Sequence, residues 1–194
     1  MFNRLINYFF KRVVYPSQSN SIKFQKLPFS FLGEGANVSG PFLIKNHKYI
    51  SIGKGFNALY NLRLEAWDEF AGDNFSPEII IGDNVIFNSD VHIGCIDRVE
   101  IGDGSLLASR IFISDHSHGY ITSEALLLPP AKRPVVSKGP VIIGKNVWIG
   151  EGVSILSGVS IGDNCIIGAN AVVTKSLPAN TVAGGIPCKV LKQL

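Results

Sequence analysis

The sequence predicts an all-β solenoid, in which the chain winds into stacked coils of short strands. An aliphatic residue recurs at every sixth position, and neither an α-helix nor an alternating strand has that period. These positions are Ile143, Ile149, Ile155, Ile161, Ile167 and Val173. A smaller apolar residue follows four places after each of the first five, at Val147, Val153, Val159, Cys165 and Ala171. Gly, Asn and Asp cluster between them, where tight corners need unusual backbone angles.

Each coil is expected to place its aliphatic residues inside and to stack on the next coil through parallel hydrogen bonds, about 4.8 Å apart. The same register appears earlier in the chain, in two runs. These are Ile81, Phe87 and Ile93, and then Ile101, Leu107 and Ile113. The second run is offset by two residues, which predicts an insertion or bulge near Asp97.

Three interruptions of the repeat carry further predictions. Residues 52–55 are expected to form the opening turn of the solenoid, and residues 65–77 an excursion from it. Residues 119–140 contain four prolines and no hexad, and they are expected to form a protruding loop. A loop of that length is usually functional or disordered, and its position directly after two histidines favours function.

The chain length of 194 residues favours a single well-buried domain. We predict a lead-in segment with a short helix over residues 1–30 and a β-helix domain over residues 31–194. The apolar residues among the first fifteen are interrupted by Arg4, Lys11 and Arg12, so this stretch is too short to span a membrane. It either packs on the protein body or rests on a membrane surface. No small-residue cleavage site follows, which argues against export.

Composition narrows the function classes. Only 17% of residues are charged, against about 25% in typical domains, which favours burial of outer surface in an oligomer. The net charge of +3 is not arranged in basic blocks, which argues against nucleic acid as a partner. The three cysteines, Cys95, Cys165 and Cys188, lack CxxC spacing and favour a reducing, cytoplasmic location, and we interpret Cys165 and Cys188 as packing residues.

The hexads, the loop after a histidine, the Asn-Val-Trp-Ile-Gly segment at 146–150 and the ending at 184–190 together resemble the hexapeptide-repeat acyltransferases. The resemblance extends over residues 50–194. Within the family, the sequence is most similar to sugar O-acetyltransferases of the maltose, galactoside, lipopolysaccharide and capsule types. It implies a left-handed parallel β-helix that assembles as a homotrimer, with acetyl-CoA in a groove between neighbouring β-helices. The implied reaction is acetyl transfer to a saccharide hydroxyl, on an O-antigen, capsule or other surface polysaccharide unit or its lipid-linked precursor.

The resemblance also implies that a histidine acts as the general base. Counting hexads from Ile101 places the family's catalytic position at His118, with His116 as the second candidate. Asp115, or a backbone carbonyl, can orient the ring. An imidazole with an ordinary pKa near 6.5 can accept a proton from a sugar hydroxyl, which is worth about 10²- to 10⁴-fold in rate. A thioester is already activated, so direct transfer needs no nucleophilic Cys or Ser. The alternative is that both histidines are polar loop residues.

The acceptor site is expected to include Asn88, Asp90 and Trp148. Asn88 matches a family asparagine that helps bind the acetyl or acceptor group, although it also suits a corner. Asp90 and His92 either line the acceptor pocket or are solvated. Trp148 matches a family tryptophan that forms a wall of the acceptor or CoA site, and burial at a trimer interface is its alternative role.

The positions expected to contact CoA combine small residues, which let the pantetheine arm approach the backbone, with lysines that meet phosphates as point charges. They are Trp148, Gly150, Glu151, Gly168, Ala169, Thr174, Lys175, Lys189 and Lys192. Lys189 and Lys192 stand where some relatives have Arg, and Glu151 where some have a small polar residue.

Three other functions remain open from the sequence. A sugar-amine N-acetyltransferase would use the same site on a different acceptor. A zinc enzyme of the γ-carbonic anhydrase type needs three histidine ligands, which His92, His116 and His118 would supply in number but not in spacing. A non-catalytic β-helix scaffold is the third, since a fold alone does not establish activity. For the transferase we expect acetyl-CoA as cosubstrate and no metal.

Overall fold

The hexads form the three sides of a prism. In the computed structural model, which describes residues 13–14, 23–120 and 122–194, each coil contributes one short strand to each of three sheets. The strands of successive coils pair in parallel. The protein is therefore a left-handed parallel β-helix, and the predicted fold class is confirmed.

The strands are numbered in chain order. They are β1 (Val13–Val14), β2 (Phe31–Leu32), β3 (Asn37–Val38), β4 (Phe42–Lys45), β5 (Ile50–Ile52), β6 (Asn57–Ala58), β7 (Leu62–Ala66), β8 (Glu69–Phe70), β9 (Asp73–Asn74), β10 (Glu78–Ile81), β11 (Ile86–Phe87), β12 (His92–Cys95), β13 (Arg98–Ile101), β14 (Leu106–Leu107), β15 (Phe112–Ser114), β16 (His116–His118), β17 (Val135–Ser137), β18 (Val141–Ile143), β19 (Trp148–Ile149), β20 (Ser154–Ile155), β21 (Ser160–Ile161), β22 (Ile166–Ile167), β23 (Val172–Val173), β24 (Thr181–Gly184) and β25 (Lys189–Gln193). Short 3₁₀ turns are formed by Phe24–Lys26, His47–Tyr49, Glu124–Leu127 and Pro130–Lys132.

Three sheets make the sides of the prism. The first sheet contains β2, β5, β10, β13, β18 and β21. The second contains β3, β6, β11, β14, β19, β22, β24 and β25, and the third contains β1, β4, β7, β12, β15, β20 and β23. Antiparallel pairs occur where β1 meets β4 and where β25 folds back on β24.

The repeated aliphatic residues fill the interior of the prism. From Ile143 to Val173 the six positions are 0–2% exposed, so each side chain contributes about 1.5–3 kcal/mol by burial. The smaller residues of the hexads, such as Val153 and Ala171, are buried as well. At one corner column, Asn146, Asn164 and Asn180 adopt left-handed backbone angles, and Asn164 donates a side-chain hydrogen bond to Asn180. The prediction of an inward aliphatic column with Asn-rich corners is confirmed.

The two-residue offset is also confirmed. Ile81 pairs with Ile101 and Ile93 pairs with Ile113, so the interior columns stay aligned between these coils. The extra residues, Ile96 and Asp97, lie at the corner between the third and first sheets. Their backbone N–H groups are turned towards a carboxylate of the next coil, described below.

The opening turn predicted at residues 52–55 is wrong, because a complete coil precedes it. Strands β2, β3 and β4 pair with β5, β6 and β7 of the following coil. The coil ahead of this turn carries Leu32 and Val38, which are only partly buried. In the part of the chain that the structure describes, no coil precedes this one. The ring of Phe24 packs on Phe42 with 5.5 Å between centroids and forms part of the core at this end.

The helix predicted in the first fifteen residues falls almost entirely outside the described residues. At Val13–Val14 the structure has a strand, β1, instead of that helix. None of the helices in the described part of the chain is long and apolar enough to cross a membrane.

Two excursions leave the third sheet, as predicted. Strands β8 and β9 form a small hairpin between two coils. Strands β16 and β17 form an antiparallel ribbon, with His116 opposite Ser137 and His118 opposite Val135. The protruding loop extends from the end of this ribbon and contains two 3₁₀ turns, so it is not structureless.

Candidate active site

A cavity of about 250 Å³ lies on the outer face of the third sheet, between the two excursions. Alternate residues of a strand point to opposite faces, so the residues between the inward aliphatic positions of β7, β12 and β15 reach this surface. The lining residues are Arg63, Glu65, Trp67, Phe70, His92, Gly94, Ile96, Phe112, Ser114, His116, Ser117, His118 and Val135. The structure thus brings both predicted candidate bases to one cavity.

Asp115 and His116 form a hydrogen-bonded pair at the edge of this cavity. The Asp115 carboxylate, which is fully buried, accepts a hydrogen bond from Nδ1 of His116 at 2.9 Å. It also accepts the backbone N–H of Ile96 at 3.0 Å and that of Asp97 at 2.8 Å. The carboxylate is therefore fixed by the two inserted residues and in turn fixes the tautomer and orientation of the imidazole, leaving Nε2 as the proton acceptor.

Gly94 provides the space in which the His116 ring lies. A methyl group placed on Gly94 would lie 3.2 Å from Cε1 of His116, closer than most real contacts. The Oγ of Ser114, on the next strand, donates to the backbone carbonyl of His116 at 3.0 Å. Ser157, one coil further on, donates to the carbonyl of Asp115 at 2.6 Å. The beginning of the ribbon is thereby anchored to two coils.

His118 occupies the outer part of the cavity. Its ring packs edge-on against Phe70 of the hairpin, with 5.3 Å between centroids. In the described residues, no hydrogen bond is formed by its ring nitrogens. The two histidines therefore differ: His116 is held by a buried carboxylate, whereas His118 is positioned by packing alone.

A second histidine–carboxylate pair lines the same cavity, and sequence reasoning missed its carboxylate. Glu65 accepts a hydrogen bond from Nε2 of His92 at 3.0 Å and pairs with Nη2 of Arg63 at 2.8 Å. Burial raises the pKa of Glu65, but the contacts with His92 and Arg63 outweigh it and leave the pKa below its usual value. The sequence signal for this polar and aromatic outer face is the alternation of Arg63, Glu65 and Trp67. Two of these residues, Glu65 and Trp67, fall within the excursion predicted at residues 65–77.

Several other predicted site residues lie on the opposite edge of the third sheet. Asn88, Gly150 and Gly168 occupy equivalent positions in one corner column, where the second sheet gives way to the third, with Ala108 between Asn88 and Gly150. Ala169 follows in the same corner and is exposed. None of these lines the cavity, because one side of the prism separates the two edges.

Two predicted site residues have local structural partners. Asp90 adopts a left-handed backbone conformation at a corner and accepts a hydrogen bond from Asn61 at 2.9 Å. Glu151 forms an ion pair with Arg110 at 2.7 Å on the surface. Neither contacts the cavity.

The remaining predicted CoA contacts lie in two places. Thr174 and Lys175 follow β23. Along the prism axis they stack in line with Ser114 and Asp115, two coils or about 10 Å further on. Lys189 lies opposite Gly184 in the β24–β25 pair, and Lys192 lies opposite Val182.

Gly168 and Gly150 differ in the space around their backbones. At Gly168 an added methyl group would meet only Ala183 O at 3.5 Å and Gly184 Cα at 3.8 Å, so the backbone there is open to close approach. At Gly150, by contrast, the methyl would meet the backbone N of Ala169 at 2.7 Å, so Gly150 is required by the stacking of coils.

Trp148 is 52% exposed on the outer face of the second sheet. Its strand pairs with β14, so that Trp148 stands beside Leu106, which in turn stands beside Ile86. All three are exposed and form an apolar column along the axis. No group of three His, Cys, Asp or Glu side chains in the described part of the chain is arranged to hold a metal ion, so His92, His116 and His118 do not form the ligand set that a zinc enzyme requires.

The solenoid places a histidine and a buried carboxylate beside a surface cavity, and comparisons with known proteins identify the class of protein. Residues 140–175 match the family model described as bacterial transferase hexapeptide (six repeats). The chain is 39% identical over 157 residues to WbbJ of Escherichia coli (strain K12), covering 79% of this chain and 76% of that protein. The name of WbbJ gives it a provisional role as an O-acetyl transferase of lipopolysaccharide biosynthesis.

Solved structures agree with this assignment. A maltose O-acetyltransferase from Clostridium difficile 630 is 31% identical, with a TM-score of 0.53 over 86% of this chain and 70% of that one. A mutant of AntD, an N-acyltransferase from Bacillus cereus in complex with dTDP-4-amino-4,6-dideoxyglucose and coenzyme A, shares the fold at 21% identity. Its TM-score is 0.67 over 92% of this chain and 90% of that one. The chain belongs to the hexapeptide-repeat acyltransferase family, and the resemblance drawn from its sequence is confirmed.

Proposed function

We propose that the protein transfers an acetyl group from acetyl-CoA to a hydroxyl of a saccharide used in surface polysaccharide synthesis. Its family membership and its similarity to a maltose O-acetyltransferase support this reaction class. The observation that carries the proposal is the pair formed by buried Asp115 and His116, which opens into a cavity lined by polar and aromatic side chains.

In the proposed reaction, Nε2 of His116 accepts the proton of the sugar hydroxyl as its oxygen attacks the thioester carbonyl. The C–S bond then breaks, the acetyl ester forms on the sugar, and the imidazolium returns the proton to the leaving thiolate of CoA. Asp115 stabilises the imidazolium and keeps Nδ1 as the donor, as an aspartate does in the Ser-His-Asp arrangement. The two-step transfer of one proton leaves the enzyme unchanged, so no covalent intermediate is required.

His118 is the competing base, because the hexad count places it at the family's catalytic position. In our proposal the hydrogen bond that Nδ1 of His116 donates to Asp115 favours His116 as the base, and His118 contacts the acceptor beside Phe70. Comparing His116→Ala with His118→Ala tests the assignment. We expect the His116 variant to lose about 10²- to 10⁴-fold in kcat and the His118 variant to lose mainly acceptor affinity. The reverse pattern would assign the base to His118.

We further propose that the acyl donor lies along the corner column that includes Gly168 and Ala169, against Trp148. Thr174 and Lys175, together with Lys189 and Lys192, would contact its phosphates. Asn88 lies on the same column and would contact the acetyl or acceptor group. The corner column of Gly168 and the histidines occupy opposite edges of the third sheet, whereas Thr174 and Lys175 lie on the histidine edge two coils further on. The parts of the proposed site are therefore separated within one chain.

A homotrimer resolves this separation, because neighbouring prisms bring the edge of one chain against the edge of the next. The exposed apolar column of Ile86, Leu106 and Trp148 and the low charged fraction of the sequence support such an assembly. The protein would act in the cytoplasm, where acetyl-CoA is made. Residues 1–15 would either pack on the protein body or on a neighbouring chain, or contact the inner face of the membrane; most of this segment lies outside the described residues.

The proposal is tested by measuring thiol release from acetyl-CoA with a panel of mono- and oligosaccharides, including amino sugars. We expect release that depends on a hydroxylated acceptor and an ester product by mass spectrometry. An amide product would assign N-acetylation instead. Absence of both release and acetyl-CoA binding at millimolar concentration would support a non-catalytic scaffold.

A further inference from the structure

The cavity holds one carboxylate that the mechanism above does not use. Glu65 has only 5% of its side chain exposed, and both of its contacts, from His92 and Arg63, reach the same oxygen, Oε2. Among the described residues no hydrogen bond reaches Oε1. Among the described residues, the one fully buried side-chain N or O atom without a hydrogen-bond partner is Nδ1 of His47. Oε1 of Glu65 also lacks a partner, so it is not fully buried, and Glu65 lines the cavity. We therefore take Oε1 as accessible from the cavity.

A carboxylate in this state can act only as an acceptor of hydrogen bonds. His92 and Arg63 keep it ionised, since they lower its pKa against the effect of burial. An ionised oxygen with little access to water gains strongly from a donor and suffers strongly from its absence. Glu65 is thus suited to recognise a hydroxyl group and to disfavour a negatively charged one.

The position of Glu65 relative to His116 fits a single sugar ring. In the third sheet Glu65 stands beside Gly94, and Gly94 stands beside Ser114. The glycine leaves the surface between Glu65 and the His116 ring without a side chain. Glu65 and Ser114 lie two strands apart in the third sheet, a backbone separation of about 10 Å. Phe112 and Phe70 line the same cavity and provide apolar surface for the ring carbons.

We propose that Glu65 selects the acceptor: its Oε1 accepts a hydrogen bond from a second hydroxyl on the same sugar ring as the hydroxyl that is acetylated. This inference rests on the proposed function and specifies its substrate class. The acceptor is a neutral, polyhydroxylated sugar unit. Sugars that carry a carboxylate or phosphate at this second position, or that lack its hydroxyl, are disfavoured because they leave the buried carboxylate repelled or unpaired.

The test compares wild type with Glu65→Gln on an acceptor found active in the panel and on its monodeoxy analogues, each lacking one hydroxyl. We expect one analogue to be about ten- to hundredfold poorer in kcat/KM for the wild type, the worth of one hydrogen bond to a charged group. The variant should lose a similar factor on the parent sugar and lose little more on that analogue. KM for acetyl-CoA should not change.

The matched control is Glu100→Gln, which removes a carboxylate that pairs with Arg98 at 2.7 Å on the first sheet, away from the cavity. It should leave selectivity among the analogues unchanged. If Glu65→Gln proves too unstable to assay, Glu65→Asp retains the charge and withdraws the oxygen, and it should show the same loss of selectivity.

Equal losses on the parent sugar and on every analogue, with the ratios unchanged, would overturn the role of Glu65. So would a wild type that uses all monodeoxy analogues equally well. Either result leaves acetyl transfer itself standing. No thiol release with any acceptor would instead contradict the proposed function, so the two failures are distinguishable.

Discussion

Replacement of Asp115 by Asn tests whether this carboxylate governs the chemistry. The fully buried carboxylate accepts hydrogen bonds from two backbone amides and from Nδ1 of His116. An Asn of the same shape has one acceptor oxygen and one NH₂ group. If the oxygen keeps the amides, the NH₂ faces Nδ1 and forces it to become an acceptor. The proton then moves to Nε2, which can no longer act as a base.

The expected magnitudes separate a catalytic role from a structural one. We expect kcat to fall by about 10²- to 10⁴-fold, the range for loss of a correctly oriented general base. Loss of one hydrogen bond to a charged group lowers the free energy of unfolding by about 1.5–3 kcal/mol. For a chain of this size that is a decrease in melting temperature of roughly 3 to 12 °C.

The assay is thiol release at saturating acetyl-CoA and acceptor, with thermal unfolding measured on the same samples. Ser157→Ala is the control, since it removes a hydrogen bond to the backbone carbonyl of Asp115 but leaves the carboxylate intact. It should lower stability and retain most of kcat. A variant Asp115→Asn with near wild-type kcat would refute the role of Asp115 in orienting the base.

Three further outcomes are expected. Trp148→Ala should weaken the proposed trimer in sedimentation equilibrium and raise KM for acetyl-CoA by about tenfold, while Ser160→Ala on the first sheet should do neither; an unchanged assembly would exclude the apolar column as an interface. Because the pKa of Glu65 is lowered, its stabilising effect is present above the ordinary Glu range near 4.3 and is lost as pH falls through the folded pKa. The difference in urea midpoint between wild type and Glu65→Gln should therefore shrink as the pH falls below about 4; a difference that stays the same from about pH 5 to pH 3 would contradict this. Burial and the nearby Asp115 raise the pKa of the Cys95 thiol, and Cys165 is also buried, so neither should react with a thiol reagent until the protein is unfolded; rapid reaction of the native protein would show that these coils open.

The fold could be predicted from the sequence because the hexad is a local pattern repeated without gaps. The hexad position of each aliphatic residue from Ile143 to Val173 predicts that its side chain is buried. The two-residue offset near Asp97 is recognisable in the sequence as a change of register. The coil ahead of residue 52 was missed for a physical reason. Its apolar residues Leu32 and Val38 are only partly buried. Polar residues are therefore tolerated more easily at this end, and the hexad pattern is harder to recognise in the sequence.

The site was only partly predictable. His116 and Asp115 are neighbours in sequence, so their pairing could be suggested. Glu65 and His92 are 27 residues apart and meet only because coils of unequal length stack in register. Asn88 was expected to bind the acetyl or acceptor group, and the sequence does not reveal that a full side of the prism separates it from the histidines within one chain. Which side chains meet on the outer surface depends on the spacing of the coils and on where each corner falls. The linear sequence pattern does not show either of these.

The insertion of Ile96 and Asp97 has a consequence for how such a protein can vary. Two extra residues leave the interior columns aligned, yet they present two amides that need a negative partner in the next coil. Asp115 satisfies them and holds the imidazole with the same group. A homologue that lost these two residues would keep its prism, but the acid beside its histidine would lose its two amide donors. The length of this one corner therefore connects the architecture to the proposed proton transfer.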